Sequence, residues 1–402
     1  MKIGVGLSIE QDPALAAKEA CRMATSNLYN SKISLAIIFN TPSLTSSYFL
    51  KTISVALADA SVIGCSAAAI ISNKGIFKHG LAIIAFSFPE NIYFNIASMQ
   101  NIRSTEAINA GEELGEKLLY GFKGLHRDLG MIFSDSLNEA GSKFIYGLQA
   151  RLGKSFPLVG ASPSPDMRFG RTHLYLNQDI LHDSVLGILW GGKIRFGLGI
   201  KHGWRPLGRP RVVTKIEDNI IYEIDGDPAV RIYEDYLAKD ITELQKEIKR
   251  ISILYPLGVY LPGEKEYLLR NITAIENDGS LRLQSNISPE SSVRLMIGTK
   301  ESCLEATEEA VYEAKKNFNS SLPESEEKDK KNFVLVFDSL SRYMLLRRDA
   351  KRELDIIKNS FGEDTPIIGI YTTAEQAPLK AITYQGQSYM HNQSIAVLTI
   401  SG

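Results

Sequence analysis

The chain has 402 residues, 44% hydrophobic and 23% charged, with a formal net charge of −1. That length predicts two or three domains, and the near-neutrality argues against nucleic-acid binding, which calls for a basic excess. Cys21, Cys65 and Cys303 form no metal or disulfide spacing, and no apolar run approaches the ~18 residues of a membrane span, so neither zinc nor membrane insertion is expected.

The opening "MKIGVGLSIEQDP" reads as a strand and turn without an export signal, so a cytoplasmic location is expected. "SLAIIFN" (34–40) is a strand, "TSSYFLKTISVALADA" a helix, and "SVIGCS" a strand ending at Gly64. "FKHGLAIIAFSF" begins another strand just after His79. The order recurs further on. "DLGMIFS" (128–134) is a strand, and Phe144, Leu148 and Leu152 mark a helix closed by Gly153. Pro157 then opens a strand ending at Gly160.

"WRPLGRPRVV" (204–213) reads as a connection between domains. "IIYEIDGDPAVRIYEDYLAKD" reads as a strand, an Asp-Gly turn and a helix opened by Pro228, and "AIENDGSLRLQSNI" as a hairpin. An amphipathic helix follows in "ESCLEATEEAVYEAKKNF", then a solvated loop over 319–332. "FVLVFDS" (333–339), a helix with Leu354, Ile357 and Phe361 on one face, and "PIIGIYTTAE" (366–375) give the order a third time. An ungapped register aligns 153–182 with 362–391, pairing Asp166 with Glu375, Tyr175 with Tyr384 and Asp183 with Asn392. The expected fold is α/β (α+β is the alternative), with mixed sheets built from repeated β-α-β-β units in two modules.

Strand ends followed by short polar turns frame ligand clefts. Glu375, beside Thr372 and Thr373, is either a partner for a ligand ammonium group or a turn cap. Arg342 is either a bidentate clamp for a ligand carboxylate or an ion-pair partner of Glu353. Tyr371, Asn392, Asp166 and Ser162 complete the candidate ligand-binding set. No zinc-hydrolase, nucleophile-elbow or phosphate-loop motif is present. A Ser-His-Asp set can be drawn from Ser162, His182 and Asp183, but such a set can be drawn from most chains of this length.

Four stretches carry a family resemblance: "VIGCSAAAI", "VVTKIEDNIIYEIDGDPAVRIYEDYL", "DGSLRLQSNISPESSVRLM" and "VFDSLSR … PIIGIYTTAEQAP … YMHNQSIAVLTI". Their order resembles the FIST family of F-box and intracellular signal transduction proteins. The resemblance implies an N-type module over 1–206 holding two repeat units and a C-type module over 207–402 holding the third. It also implies a stand-alone sensor that binds a small, amino-acid-like ligand and signals to a separate protein. Some relatives are haem proteins that sense nitric oxide, so haem is the alternative to no cofactor, and an enzyme of unrecognised chemistry is a further alternative. This chain departs from the family at Ala67–Ile70, where a Thr-x-Gly-Glu ending is common, and at Ser339, where a Cys is common.

Overall fold

The computed structural model describes residues 1–26, 28, 31–58, 60–135, 140–165, 171–192, 194–264, 266–320, 333–379 and 387–401. The first repeat runs β1 (Lys2–Ser8), α1 (Pro13–Thr25), β2 (Leu35–Asn40), α2 (Ser47–Ala56), β3 (Ser61–Ser66), β4 (Ile70–Ser72), β5 (Gly75–Phe77) and β6 (Leu81–Ser87). The second runs β7 (Tyr93–Gln100), α3 (Ala107–Leu119), β8 (Leu129–Ser134), α4 (Gly141–Leu152), β9 (Leu158–Pro163), β10 (Leu174–Leu176), β11 (Asp179–Leu181) and β12 (Ser184–Gly191).

The third repeat opens with β13 (Arg195–Lys201) and is then interrupted. The inserted module contains β14 (Arg205–Glu217), β15 (Ile220–Ile224), β16 (Asp227–Pro228), α5 (Arg231–Leu237), α6 (Ile241–Leu254), β17 (Leu257–Val259), β18 (Leu268–Arg270), β19 (Ile272–Ile275), β20 (Leu281–Leu283) and β21 (Ser292–Ile297). The repeat resumes with α7 (Lys300–Ser320), β22 (Phe333–Ser339), α8 (Leu340–Leu346), α9 (Ala350–Phe361), β23 (Ile367–Pro378), β24 (Ser388–His391) and β25 (Ile395–Ser401). The protein is therefore α/β with mixed sheets.

Each repeat has one strand order: β1-β6-β2-β3, β7-β12-β8-β9 and β13-β25-β22-β23. In each, the two strands named last run parallel, and Gly64, Gly160 and Gly369 face Ile38, Ile132 and Val336 across that pair. A further strand then crosses to the next repeat in a closed cycle. β10 pairs with β3 (Leu174 with Cys65), β4 with β23 (Ile70 with Ile370), and the end of β23 with β9 (Glu375 with Ala161). At the centre Phe39, Phe133 and Phe337 meet, one from each repeat, with centroids 5.8, 6.3 and 6.0 Å apart and near-perpendicular planes. These are the phenylalanines near the ends of "SLAIIFN", "DLGMIFS" and "FVLVFDS", the first strand read in each copy of the sequence.

The repeat is larger than the β-α-β-β unit expected, because an opening strand and helix belong to it. In the first repeat Gly4-Val5-Gly6 lets α1 settle directly on β1. A Cβ on Gly6 would stand 1.9 Å from the Ala20 carbonyl oxygen. Gly197-Leu198-Gly199 does the same under α7, where a Cβ on Gly199 would stand 2.0 Å from the carbonyl oxygen of Ala310.

Several expectations change. The "WRPLGRPRVV" connection is the start of β14, which pairs with β21; its Gly208 and Pro210 fall in the register shift between Leu207 and Arg211, where the ladder tolerates them. Pro228 pairs with Glu223 in β16, so the helix begins at Arg231. Residues 319 and 320 end α7, and 321–332 lie outside the described residues. The ungapped register also slips. Tyr175 faces Gly64 as Gln376 faces Gly160, while Tyr384 lies outside the described residues. Val185 faces Ser134 as Ile395 faces Asp338, which makes Gln393 the counterpart of Asp183. Both adopt left-handed backbone (φ 46° and 60°).

Because three repeats share one aromatic centre, Phe133→Ala removes support from all of them. It should cost about 3–5 kcal/mol in urea denaturation while unfolding remains a single transition. A loss below about 1 kcal/mol would show that the ring is not a common support.

Candidate functional site

The residue after each central phenylalanine differs: Asn40, Ser134 and Asp338. In the third repeat Asp338 anchors a buried charged network. Arg342, one turn on in α8, donates from Nε to Asp338 Oδ1 at 2.9 Å, and its terminal nitrogens reach the His202 carbonyl at 2.6 Å and Thr307 Oγ1 at 2.8 Å. It also donates to the Cys303 carbonyl at 3.0 Å and forms an ion pair with Glu353, which in turn accepts from Thr307. Burial, with Glu353 beside it, pushes Asp338 well above the usual carboxylate range. Burial and the neighbouring carboxylate both disfavour a charge on Asp338, and Arg342 opposes them.

Glu375 lies next to this network, fully buried. Its Oε1 is 2.5 Å from Thr372 Oγ1 and its Oε2 accepts from the Ser394 N–H at 3.1 Å. Burial raises its pKa to about 8, opposed by the Thr372 and Ser394 hydrogen bonds and by Arg342. At neutral pH the acid is mostly protonated. The Thr372 hydroxyl also donates to the Asp338 carbonyl 3.0 Å away.

A cavity of about 550 Å³ opens where β8 and β9 end. Ser162, Thr373, Asp135, His182, Asp183, Arg103, Arg171 and Thr172 line it with two prolines. Asp135 accepts from the backbone N–H groups of Ser184 (2.7 Å) and Asp183 (3.1 Å), fixing the left-handed turn that presents Asp183. Asp183 accepts from the Arg103 N–H at 3.2 Å, with the Arg103 guanidinium 3.8 Å away. Thr373 Oγ1 donates to the Pro163 carbonyl at 3.1 Å, so the wall joins the second and third repeats.

Of the residues picked out from the sequence, Ser162 and Thr373 line this cavity. Thr372, Glu375 and Arg342 do not line it and belong to the buried third-repeat network. Tyr371 is buried against Tyr343, with ring centroids 4.5 Å apart, and Asn392 Oδ1 accepts from the Asn271 N–H at 3.3 Å. Asp166 lies outside the described residues. Ser162, His182 and Asp183 share the cavity, yet Ser162 Oγ accepts from Gln376 at 3.2 Å and among the described residues nothing links it to His182. The sequence reading missed Asp135, Arg103 and Arg171; their link to the site is the return of β12 beside β7 and β8, which no local motif displays.

His202 and His391 are buried and held neutral, with burial lowering each pKa to about 3. No cluster of three or more His, Cys, Asp or Glu suited to a metal occurs among the described residues. No helix among them is long and apolar enough to cross a membrane.

Three repeats, an inserted module and a two-signed cavity at strand ends define the class of α/β protein to which the chain belongs. The chain belongs to the FIST family: the FIST N domain matches residues 34–227 and the FIST C domain residues 229–378. FIST domains are sensory domains of signal transduction. An uncharacterized protein of Mycobacterium tuberculosis H37Rv is 26% identical over 279 residues, 68% of this chain and 70% of the relative. One from Methanocaldococcus jannaschii is 25% identical over 215 residues, 49% of this chain and 41% of the relative. One from Mycobacterium bovis is 22% identical over 304 residues, 74% and 76% of the two chains.

The buried acid predicts a pH signature. The folded protein retains a proton at Glu375 up to about pH 8, whereas the unfolded chain releases it near 4.5. The stabilisation is therefore complete below about pH 4.5 and is lost as pH rises through 8. Glu375→Gln keeps the hydrogen bonds without a titrating group. Its stability relative to wild type, from urea titrations, should rise between pH 5 and 9. A difference that stays flat over that range would mean Glu375 is ionised throughout.

Proposed function

We propose that this protein is a sensory module that holds a small zwitterion, amino-acid-like in class, in the cavity between the second and third repeats. The observation that carries the reading is the pairing of guanidinium and carboxylate groups around one polar cavity at strand ends. Arg171 faces a ligand carboxylate, while Ser162, Thr373 and the Asp183 edge supply acceptors for an ammonium group. Tyr371, Thr372, Glu375, Arg342 and Asn392 act as positioning residues of the third repeat, away from the lining. A ligand there touches two repeats at once, so binding favours one relative placement of them. A separate protein reads that placement.

The test is a thermal-shift screen of the purified chain against the common amino acids, followed by calorimetry on any that raise Tm. At least one should bind saturably, and Arg171→Ala should weaken it about tenfold or more by removing a charge-assisted contact. Unchanged affinity in Arg171→Ala, or no response across the panel, would sink the zwitterion reading. A Soret band in the same protein would replace it with haem binding.

A further inference from the structure

A second cavity, of about 480 Å³, lies where the inserted module meets the second and third repeats. At its inner wall is Arg270, the last residue of β18 and only 1% exposed. Its guanidinium reaches three parts of the chain. Nη1 donates to the carbonyls of Leu269 and Met390, both at 2.9 Å. Nε donates to the Asn286 carbonyl at 3.3 Å, and Nη2 makes only a 3.4 Å contact with Ser142 Oγ. Among the described residues no carboxylate pairs with it. The contrast with Arg342, equally buried and held by two carboxylates, is plain.

An arginine stays charged at neutral pH even here, where burial lowers its pKa to about 9. A buried cation without a counter-ion is costly, so a built site of this kind calls for an anion. Two neighbouring features agree. Ser142 is the second residue of α4, a twelve-residue helix whose N-terminus has no side-chain cap, so that end adds positive potential. Gly141 brings it close, since a Cβ there would stand 2.0 Å from Met390 Sδ. Lys143 stands at the exposed rim, and the remaining wall is largely apolar: Val259, Leu261, Leu268 and Ile287.

We infer that this cavity binds a monocarboxylate with an apolar chain, its carboxylate on Arg270 and the α4 N-terminus and its chain along the inserted module. One compensating charge and an apolar wall suit a carboxylate better than a phosphate. This site is separate from the zwitterion cavity and does not depend on it. Its occupant would fasten the inserted module to the repeats.

The test uses the whole chain with octanoate, and with octanamide and 1-octanol as uncharged controls, in thermal-shift and calorimetric titrations. Octanoate should bind saturably and raise Tm, and the controls should bind at least tenfold more weakly. Arg270→Met should abolish the octanoate response, and its unliganded Tm should fall because the Leu269, Met390 and Asn286 carbonyls lose their donor. Lys143→Glu, on an exposed residue that folding does not need, should weaken octanoate about tenfold. Arg171→Ala should leave it unaffected, which separates this site from the first. Equal binding of octanamide, retention of octanoate affinity within threefold in both Arg270→Met and Lys143→Glu, or no response to monocarboxylates from butanoate to dodecanoate would overturn the assignment.

Discussion

The contact among Phe39, Phe133 and Phe337 is the constraint on which the rest of the molecule depends. Edge-to-face packing sets the electropositive rim of one ring against the π-face of the next, so three rings can close a cycle that two cannot. Each ring sits near the end of a central strand, so satisfying the cycle brings three strand ends to one point. The crossing strands then cover β3, β9 and β23, leaving none of these as a bare edge. The cavities at strand ends follow from this convergence rather than from any single loop.

Equivalent positions have diverged around that fixed centre. Asn40, Ser134 and Asp338 follow the three rings, and only the last is built into a charged network. Buried ion pairs of this kind add little net stability, because desolvation offsets most of the attraction. Their effect is to penalise other arrangements. Arg342 must find His202 at the end of β13, Cys303 and Thr307 on α7, and Glu353 on α9. The network thus ties the two sides of the inserted module to each other, and the third repeat closes despite the interruption.

Much of the fold was legible because it is written locally and repeatedly. The strand-ending phenylalanines, the strand glycines and the helix faces of Leu148 and Leu354 recur at readable spacing. What escaped was non-local. The Gly-x-Gly pairs at 4–6 and 197–199 look like turn signals until α1 and α7 are seen pressed against them. β14 carries prolines that argue against a strand, and the register shift that accommodates them is invisible in one dimension. The cavity itself was half legible: Ser162 and Thr373 lie beside the repeated turns, but Arg103 and Asp135 reach it only through strand pairing. Arg270 gave no sequence signal, since a lone arginine shows neither its burial nor that no carboxylate among the described residues pairs with it.

The position of β25 has a consequence for how the chain reaches this state. It lies between β13 and β22, so β13 is joined to the third repeat through residues some two hundred positions later. Everything between, including the inserted module, must be synthesised before that pairing exists. Contacts of such long sequence separation form slowly, because loop closure precedes any reward. During translation β13 therefore waits without its β25 partner, as β4 and β9 wait for β23. Exposure to aggregation through these edges lasts until β23 and β25 have emerged.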